Sequence, residues 1–128
     1  MSLGESILLG RRILVVEDEF FLADDLRQIL RGQQAEVLGP VGTIANALKL
    51  ISDDEAIDCV VLDVNLCGQV AYPISAALRR RRIPFVFTTG YGGGQIPAEF
   101  STIVRLEKPV EPAALIAALE AILQPIRA

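Results

Sequence analysis

Asp58-Cys59-Val60-Val61-Leu62-Asp63-Val64-Asn65-Leu66 is the stretch that decides the fold. Cys59 to Leu62 is apolar without alternation and carries β-branched residues. It ends abruptly on a carboxylate, and a loop then opens at Asn65 and reaches Gly68. Such a run reads as a parallel strand buried on both faces, which puts Asp63 at its C-terminal edge. Open α/β sheets bind ligands along that edge. An acid there is either a cap for the next loop or a working group, and polar residues elsewhere in the chain decide between the two.

Outward from this stretch the chain alternates strand and helix. Arg12-Ile13-Leu14-Val15-Val16 reads as a buried strand that also ends on acids, Glu17-Asp18. Phe21, Leu22, Leu26, Ile29 and Leu30 then recur at helical spacing, with Asp24, Asp25, Arg27 and Arg31 on the other face. Gly32 is the expected stop, as a residue free to adopt positive φ. Glu36 to Val41 is a second strand with an irregular end at Gly39-Pro40, and Thr43 is the expected N-cap of a helix carrying Ile44, Ala47, Leu48 and Ile51. The acidic loop Ser52 to Asp58 reads most simply as solvated surface.

Beyond Asp63, a helix is expected over Ala71–Arg82, with Pro73 tolerable in its first turn. Arg79-Arg80-Arg81-Arg82 closes it, and cations in a last turn complement the helix dipole. Pro84 to Thr89 is a further strand, followed by a glycine cluster at Gly90 and Gly92 to Gly94. Ile103 to Glu107 is the last strand, running into Lys108-Pro109, and a final helix is expected from Pro112 to about Gln124. Five such units predict an α/β domain with a doubly wound parallel sheet, five strands in the order 2-1-3-4-5 and right-handed crossovers.

In that order the first and third strands adjoin. Glu17, Asp18 and Asp63 then converge on one cleft, with Thr89 and Lys108 ending the strands beside them. Three carboxylates in one cleft raise one another's pKa unless a cation is present. Mg2+ takes oxygen ligands, commonly one or two carboxylates with waters and phosphate oxygens, and suits this supply. Lys108 adds a point charge for a phosphoryl oxygen, and it is one of two lysines among 12 basic residues.

Composition agrees with a single domain. The chain has 128 residues, 52% of them hydrophobic, and a net charge of −4. That charge offers no footprint for nucleic acid and no polybasic membrane anchor. No apolar run approaches a membrane span, and the N-terminus lacks the basic start of a secretory signal, so a cytoplasmic protein is expected. The chain has no histidine to join Cys59 and Cys67 in a metal site, and these thiols read as free and reduced. Residues 1–11 read as an N-terminal extension and residues 12–125 as the domain.

Glu17-Asp18, Asp63, Thr89 and Lys108-Pro109, each after an apolar strand, resemble the receiver domain of two-component response regulators, over Arg12 to Gln124. The resemblance implies a flavodoxin-like fold and a phosphorelay function without enzymatic turnover of a separate substrate. Asp63 matches the phosphate acceptor, and Asp18 the acid that ligates Mg2+ with it. Glu17 matches the acid that reaches the ion through water, and the backbone carbonyl of Asn65 the remaining protein ligand. Thr89 matches the hydroxyl that bonds a phosphoryl oxygen, and Lys108 the ammonium that pairs with another. Pro84-Phe85-Val86-Phe87-Thr88-Thr89-Gly90-Tyr91 is similar to the Pro-Phe-x-Phe-Ala-Thr-Gly-Tyr signature of receivers, often stand-alone, that partner with HWE-type histidine kinases. Thr88 stands where that signature has alanine. Two departures from the wider family fall at Arg105, in place of the switch aromatic, and at Val110, in place of the aromatic after Lys-Pro.

The implied partners are a histidine kinase or a phosphotransfer protein, with neither nucleic acid nor membrane. The alanine-rich last helix would suit a two-fold homodimer. A receiver acting only as a phosphate sink or docking module fits the same residues. A haloacid dehalogenase-type phosphatase needs a second acid two residues after its nucleophile, where this chain has Asn65. The glycine cluster has neither dinucleotide nor P-loop spacing. Between Gly90 and Ile103 there is room for about two helical turns at most, anchored by Ile96 and Phe100. With Arg105 at the switch position, activation is expected to order this short or mobile fourth helix, with Tyr91 and Asn65 flanking the site.

Overall fold

The computed structural model describes residues 6–90 and 96–123. Strands β1 (Arg12–Val16) and β3 (Cys59–Asp63) lie side by side at the centre of a parallel sheet. The outer strands are β2 (Glu36–Val41) on one side and β6 (Phe85–Thr89) and β7 (Arg105–Glu107) on the other, in the order β2-β1-β3-β6-β7. This is the expected 2-1-3-4-5 order. The numbers differ only because a hairpin, β4 (Asn65–Leu66) and β5 (Gln69–Val70), intervenes in the chain.

Both faces of the sheet are buried, which explains why β3 and β6 show no polar alternation. Leu14, Val16, Val60, Leu62, Phe85 and Phe87 pack on one side against α2 (Ile44–Asp53) and α3 (Tyr72–Arg80). Ile13, Val15, Cys59, Val61 and Val86 pack on the other against α1 (Phe20–Gly32) and α4 (Pro112–Leu123). No helix among the described residues is long and apolar enough to cross a membrane.

Several local features differ from the sequence reading. Phe21 does not face the core: it is 74% exposed, and Ala23, Leu26 and Leu30 form the buried stripe of α1. Five residues separate Phe21 from Leu26, about 140° around a helix of 3.6 residues per turn. Gly32 is the last residue of α1 and keeps a negative φ; the left-handed residue is Gln34, with φ of 63°. The acidic loop before β3 is not simply solvated. Asp58 Oδ2 accepts the Arg12 backbone N–H at 2.8 Å, and the Arg12 guanidinium pairs with Asp54 and Glu36.

α3 is shorter than expected at its C-terminal end, so only Arg79 and Arg80 of the arginine run lie in its last turn. Arg81 donates to the Asp54 carbonyl at 3.1 Å instead. The last strand starts at Arg105 rather than Ile103. The hairpin left no trace in the periodicity, because two-residue strands carry none. Its turn is Cys67-Gly68, with φ of 50° and 79°, the positive values that both central residues of a type I′ turn require.

Between β6 and β7 the expected short helix is a single 3-10 turn, Ala98–Phe100. Phe100 is its anchor: it is buried, stacks on Tyr72 at 5.7 Å between centroids, and meets the edges of Phe85 and Phe87. The Arg79 guanidinium lies 5.1 Å from the Phe100 ring centre. Arg105 is exposed. Tyr91, Gly92 to Gln95 and Gln124 lie outside the described residues.

Leu8, within the stretch read as an extension, is fully buried among Ile13, Leu26, Leu30 and Leu119. Gly10 N–H donates to the Gln34 carbonyl at 2.9 Å and ties this segment to the loop after α1. Leu8→Ala should therefore lower stability by about 2–5 kcal/mol in urea unfolding, whereas Leu9→Ala, at a position 41% exposed, should stay within about 0.5 kcal/mol of wild type. Equal, small losses for the two would contradict the packing of Leu8.

Candidate functional site

The site lies at the C-terminal edge of β1, β3 and β6. The register pairs Val16 with Leu62 and Asp63 with Thr88, so the residue after β1 and the last residue of β3 end level with each other. Oxygens of Glu17, Asp18 and Asp63 all fall within 4.8 Å of one another. Glu17 and Asp63 are buried, and Asp18 is exposed.

Each acid is held by backbone. The Glu17 N–H donates to the Val41 carbonyl at 2.9 Å, and Glu17 Oε2 accepts the Glu19 N–H at 3.0 Å. Glu19 in turn caps α1 by accepting from the N–H groups of Phe21 and Leu22, a role the sequence reading did not assign. Asp18 Oδ2 accepts the Cys67 N–H at 3.0 Å, so the hairpin turn steadies the exposed acid. The loop after β2 reaches Asp18 as well: a Cβ at Gly42 would stand 3.2 Å from Asp18 Cα, closer than that backbone readily allows. Asp63 Oδ1 accepts the Asn65 N–H at 3.0 Å.

Lys108 brings the cluster together. Its Nζ donates to Asp63 Oδ2 at 2.8 Å and lies 2.9 Å from Glu17 Oε1, an ion-pair contact without hydrogen-bond alignment. Its backbone N–H donates to the Thr89 carbonyl at 2.8 Å, which fixes the start of the side chain at the end of β6. Glu17, Asp18, Asp63 and Lys108 thus meet as expected. Thr89 ends the adjoining strand and Asn65 bonds Asp63 through its amide, while Tyr91 lies outside the described residues.

Burial pushes the Glu17 carboxyl up to about 7, against the pull of Lys108 and the Glu19 amide and with Asp63 adding to the rise. Burial works against the Lys108 ammonium, but its hydrogen bond to Asp63 and its ion-pair contact with Glu17 outweigh that and raise its pKa. Cys59, inside β3, has its thiol pushed up to about 12 by burial, in keeping with an inert thiol. One neighbour was missed from the sequence. Thr88 is fully buried opposite Asp63, and its hydroxyl has no hydrogen-bond partner among the described residues.

A doubly wound parallel sheet with three acids and one lysine at its C-terminal edge defines an α/β domain built to handle a charged group there. No family model matches the chain. Its structure is similar to the solution structure of SdrG from Sphingomonas melonis Fr1, with 37% identity, 97% of this chain and 100% of SdrG covered, and a TM-score of 0.80. It is also similar to the BeF3-activated conformation of SdrG from Pseudomonas melonis Fr1, with 38% identity, 88% and 96% covered, and a TM-score of 0.73. The phyllosphere-induced regulator PhyR of Methylorubrum extorquens is 27% identical over 113 residues, 82% of this chain and 40% of PhyR. The chain spans less than half the length of the curated relatives it matches. It belongs to the response regulator receiver domains, a family of phosphorelay signalling.

The raised Glu17 pKa has a measurable consequence. Between its ordinary value of 4.5 and about 7, the folded chain keeps a proton that the unfolded chain has released. The stability from that proton is full below pH 4.5 and is lost as pH rises through about 7. In EDTA, the wild-type melting temperature should decline over this window relative to Glu17→Gln. Parallel profiles for the two proteins would contradict the assignment.

Proposed function

We propose that this chain accepts a phosphoryl group on Asp63 from a phosphohistidine and passes the signal on through a change in partner binding. The observation that carries the reading is the Lys108 ammonium 2.8 Å from Asp63 Oδ2, beside two further acids, at the ligand-binding edge of the sheet. An aspartate carboxylate is nucleophilic without a base. What the transfer needs is position and a counter-charge for the equatorial phosphoryl oxygens.

Asp63 presents one oxygen in line with the phosphohistidine N–P bond. As the new O–P bond forms, the N–P bond breaks and its electron pair leaves on the imidazole nitrogen. Lys108, already on Asp63 Oδ2, shifts to a phosphoryl oxygen, and the Asn65 amide keeps Asp63 Oδ1 in place. In this reading the hydroxyl of Thr89, at the end of β6, donates to another phosphoryl oxygen. Water later cleaves the acyl phosphate.

The donor set suits Mg2+: three carboxylates offer oxygens within 4.8 Å of one another around a single ammonium, leaving negative charge in excess. Glu17, Asp18, Asp63 and the Asn65 carbonyl would hold the ion. When bound, it would supply a hard Lewis acid that neutralises charge on the transferring group. The phosphoryl donor is a histidine kinase or phosphotransfer protein, and the Pro84 to Tyr91 signature favours an HWE-type kinase. The chain works in the cytoplasm as a phosphoacceptor rather than as an enzyme on a separate substrate.

Incubation with acetyl phosphate and Mg2+ should give a phosphoprotein that vanishes in EDTA and in Asp63→Asn. Lys108→Ala should slow labelling by roughly 100-fold, the scale of losing one charge-stabilising donor. Wild-type labelling of Asp63→Asn, read by intact mass, would move the acceptor elsewhere.

A further inference from the structure

Thr88 is a buried polar side chain that nothing in the described fold employs. It is fully buried, and its Oγ1 has no hydrogen-bond partner among the described residues. A hydroxyl left unpaired in a protein interior is a standing cost, and valine would fill the same space without it.

Its position indicates what the hydroxyl is for. Thr88 is paired with Asp63 across β3 and β6, and with Leu106 across β6 and β7. Side chains alternate along a strand, and Val86, two residues earlier, packs with Val61 on the α1 and α4 side. Thr88 therefore shares that face with Asp63. Lys108 leaves the chain just past β7, yet its ammonium bonds Asp63 at the end of β3. Its stem must cross β6, and the β6 residue at that level and on that face is Thr88.

We propose that Thr88 is a positioning residue for phosphoryl transfer, its hydroxyl accepting a hydrogen bond from the Lys108 ammonium once that ammonium has moved from the Asp63 carboxylate to a phosphoryl oxygen. In the unphosphorylated chain the ammonium spends its contacts on Asp63 and Glu17, and the Thr88 hydroxyl has no hydrogen-bond partner among the described residues. A bond made only as the phosphoryl group arrives lowers the transfer barrier without stabilising the starting state. This role rests on the phosphoacceptor reading of Asp63.

The test compares wild type, Thr88→Val and Thr88→Ser for acetyl phosphate labelling rate in Mg2+, Mg2+ affinity by calorimetry, and melting temperature. Thr88→Val should melt at or above the wild-type temperature and bind Mg2+ as wild type does, yet take label on the order of tenfold more slowly. Thr88→Ser should restore most of the rate. A wild-type rate in Thr88→Val overturns the role. So does a Thr88→Ser as slow as the valine variant, which would make shape rather than the hydroxyl responsible, and so does a Thr88→Val that melts well below wild type. Failure of the wild-type protein to label would remove the phosphoacceptor reading itself, whereas an unaffected Thr88→Val removes only this role.

Discussion

The half-buried contact of Lys108 with the buried acids Asp63 and Glu17 is the interaction on which the site depends. It joins the ends of three separate chain segments, after β1, at β3 and after β7, and an ammonium can serve both acids only if those ends are level. Breaking a buried pair by removing one partner costs about 3–5 kcal/mol, because the other charge is left without compensation. The single ammonium does not balance the cluster. Three acids face it, and Glu17 answers with a carboxyl pKa of about 7. The folded chain is thus short of positive charge where a divalent cation and a phosphoryl group would meet.

The remainder of the fold supplies the precision that this contact needs. Backbone amides of Glu19, Cys67 and Asn65 each bond one carboxylate, so no acid relies on side-chain contacts alone. The hairpin turn and the loop at Gly42 reach Asp18 from two sides. On the opposite face, Phe100 inserts a ring among Tyr72, Phe85 and Phe87, the last two on the strand that carries Thr88 and Thr89. A change at the end of β6 therefore meets a packed aromatic cluster that reaches the segment before β7, while Arg105 stands exposed.

The sheet was legible because burial on both faces leaves a plain mark: β1, β2 and β3 fall on the expected residues, and the acids and lysine stand at or just past strand ends. Less legible were features that depend on angle or on single backbone bonds. Phe21 looked inward at helical spacing but lies about 140° from Leu26, and the capping role of Glu19 shows only once its oxygens meet the Phe21 and Leu22 amides. The Cys67-Gly68 turn lacks the Asn-Gly or Asp-Gly pair that usually announces such a hairpin. Leu8 was hidden because one leucine in a short segment has no period to reveal it. Thr88 was passed over for the threonine beside the glycine, and only the strand register sets it opposite Asp63.

The role of this site turns on which atom carries the phosphoryl group. Borohydride reduces an aspartyl phosphate to homoserine and leaves phosphoesters intact, so trapping the acetyl phosphate-treated chain and mapping its peptides reads the acceptor directly. Homoserine at position 63, and at neither Asp18 nor Asp58, is the predicted result. Homoserine at another aspartate, or a phosphoprotein that borohydride leaves unchanged, would contradict the assignment.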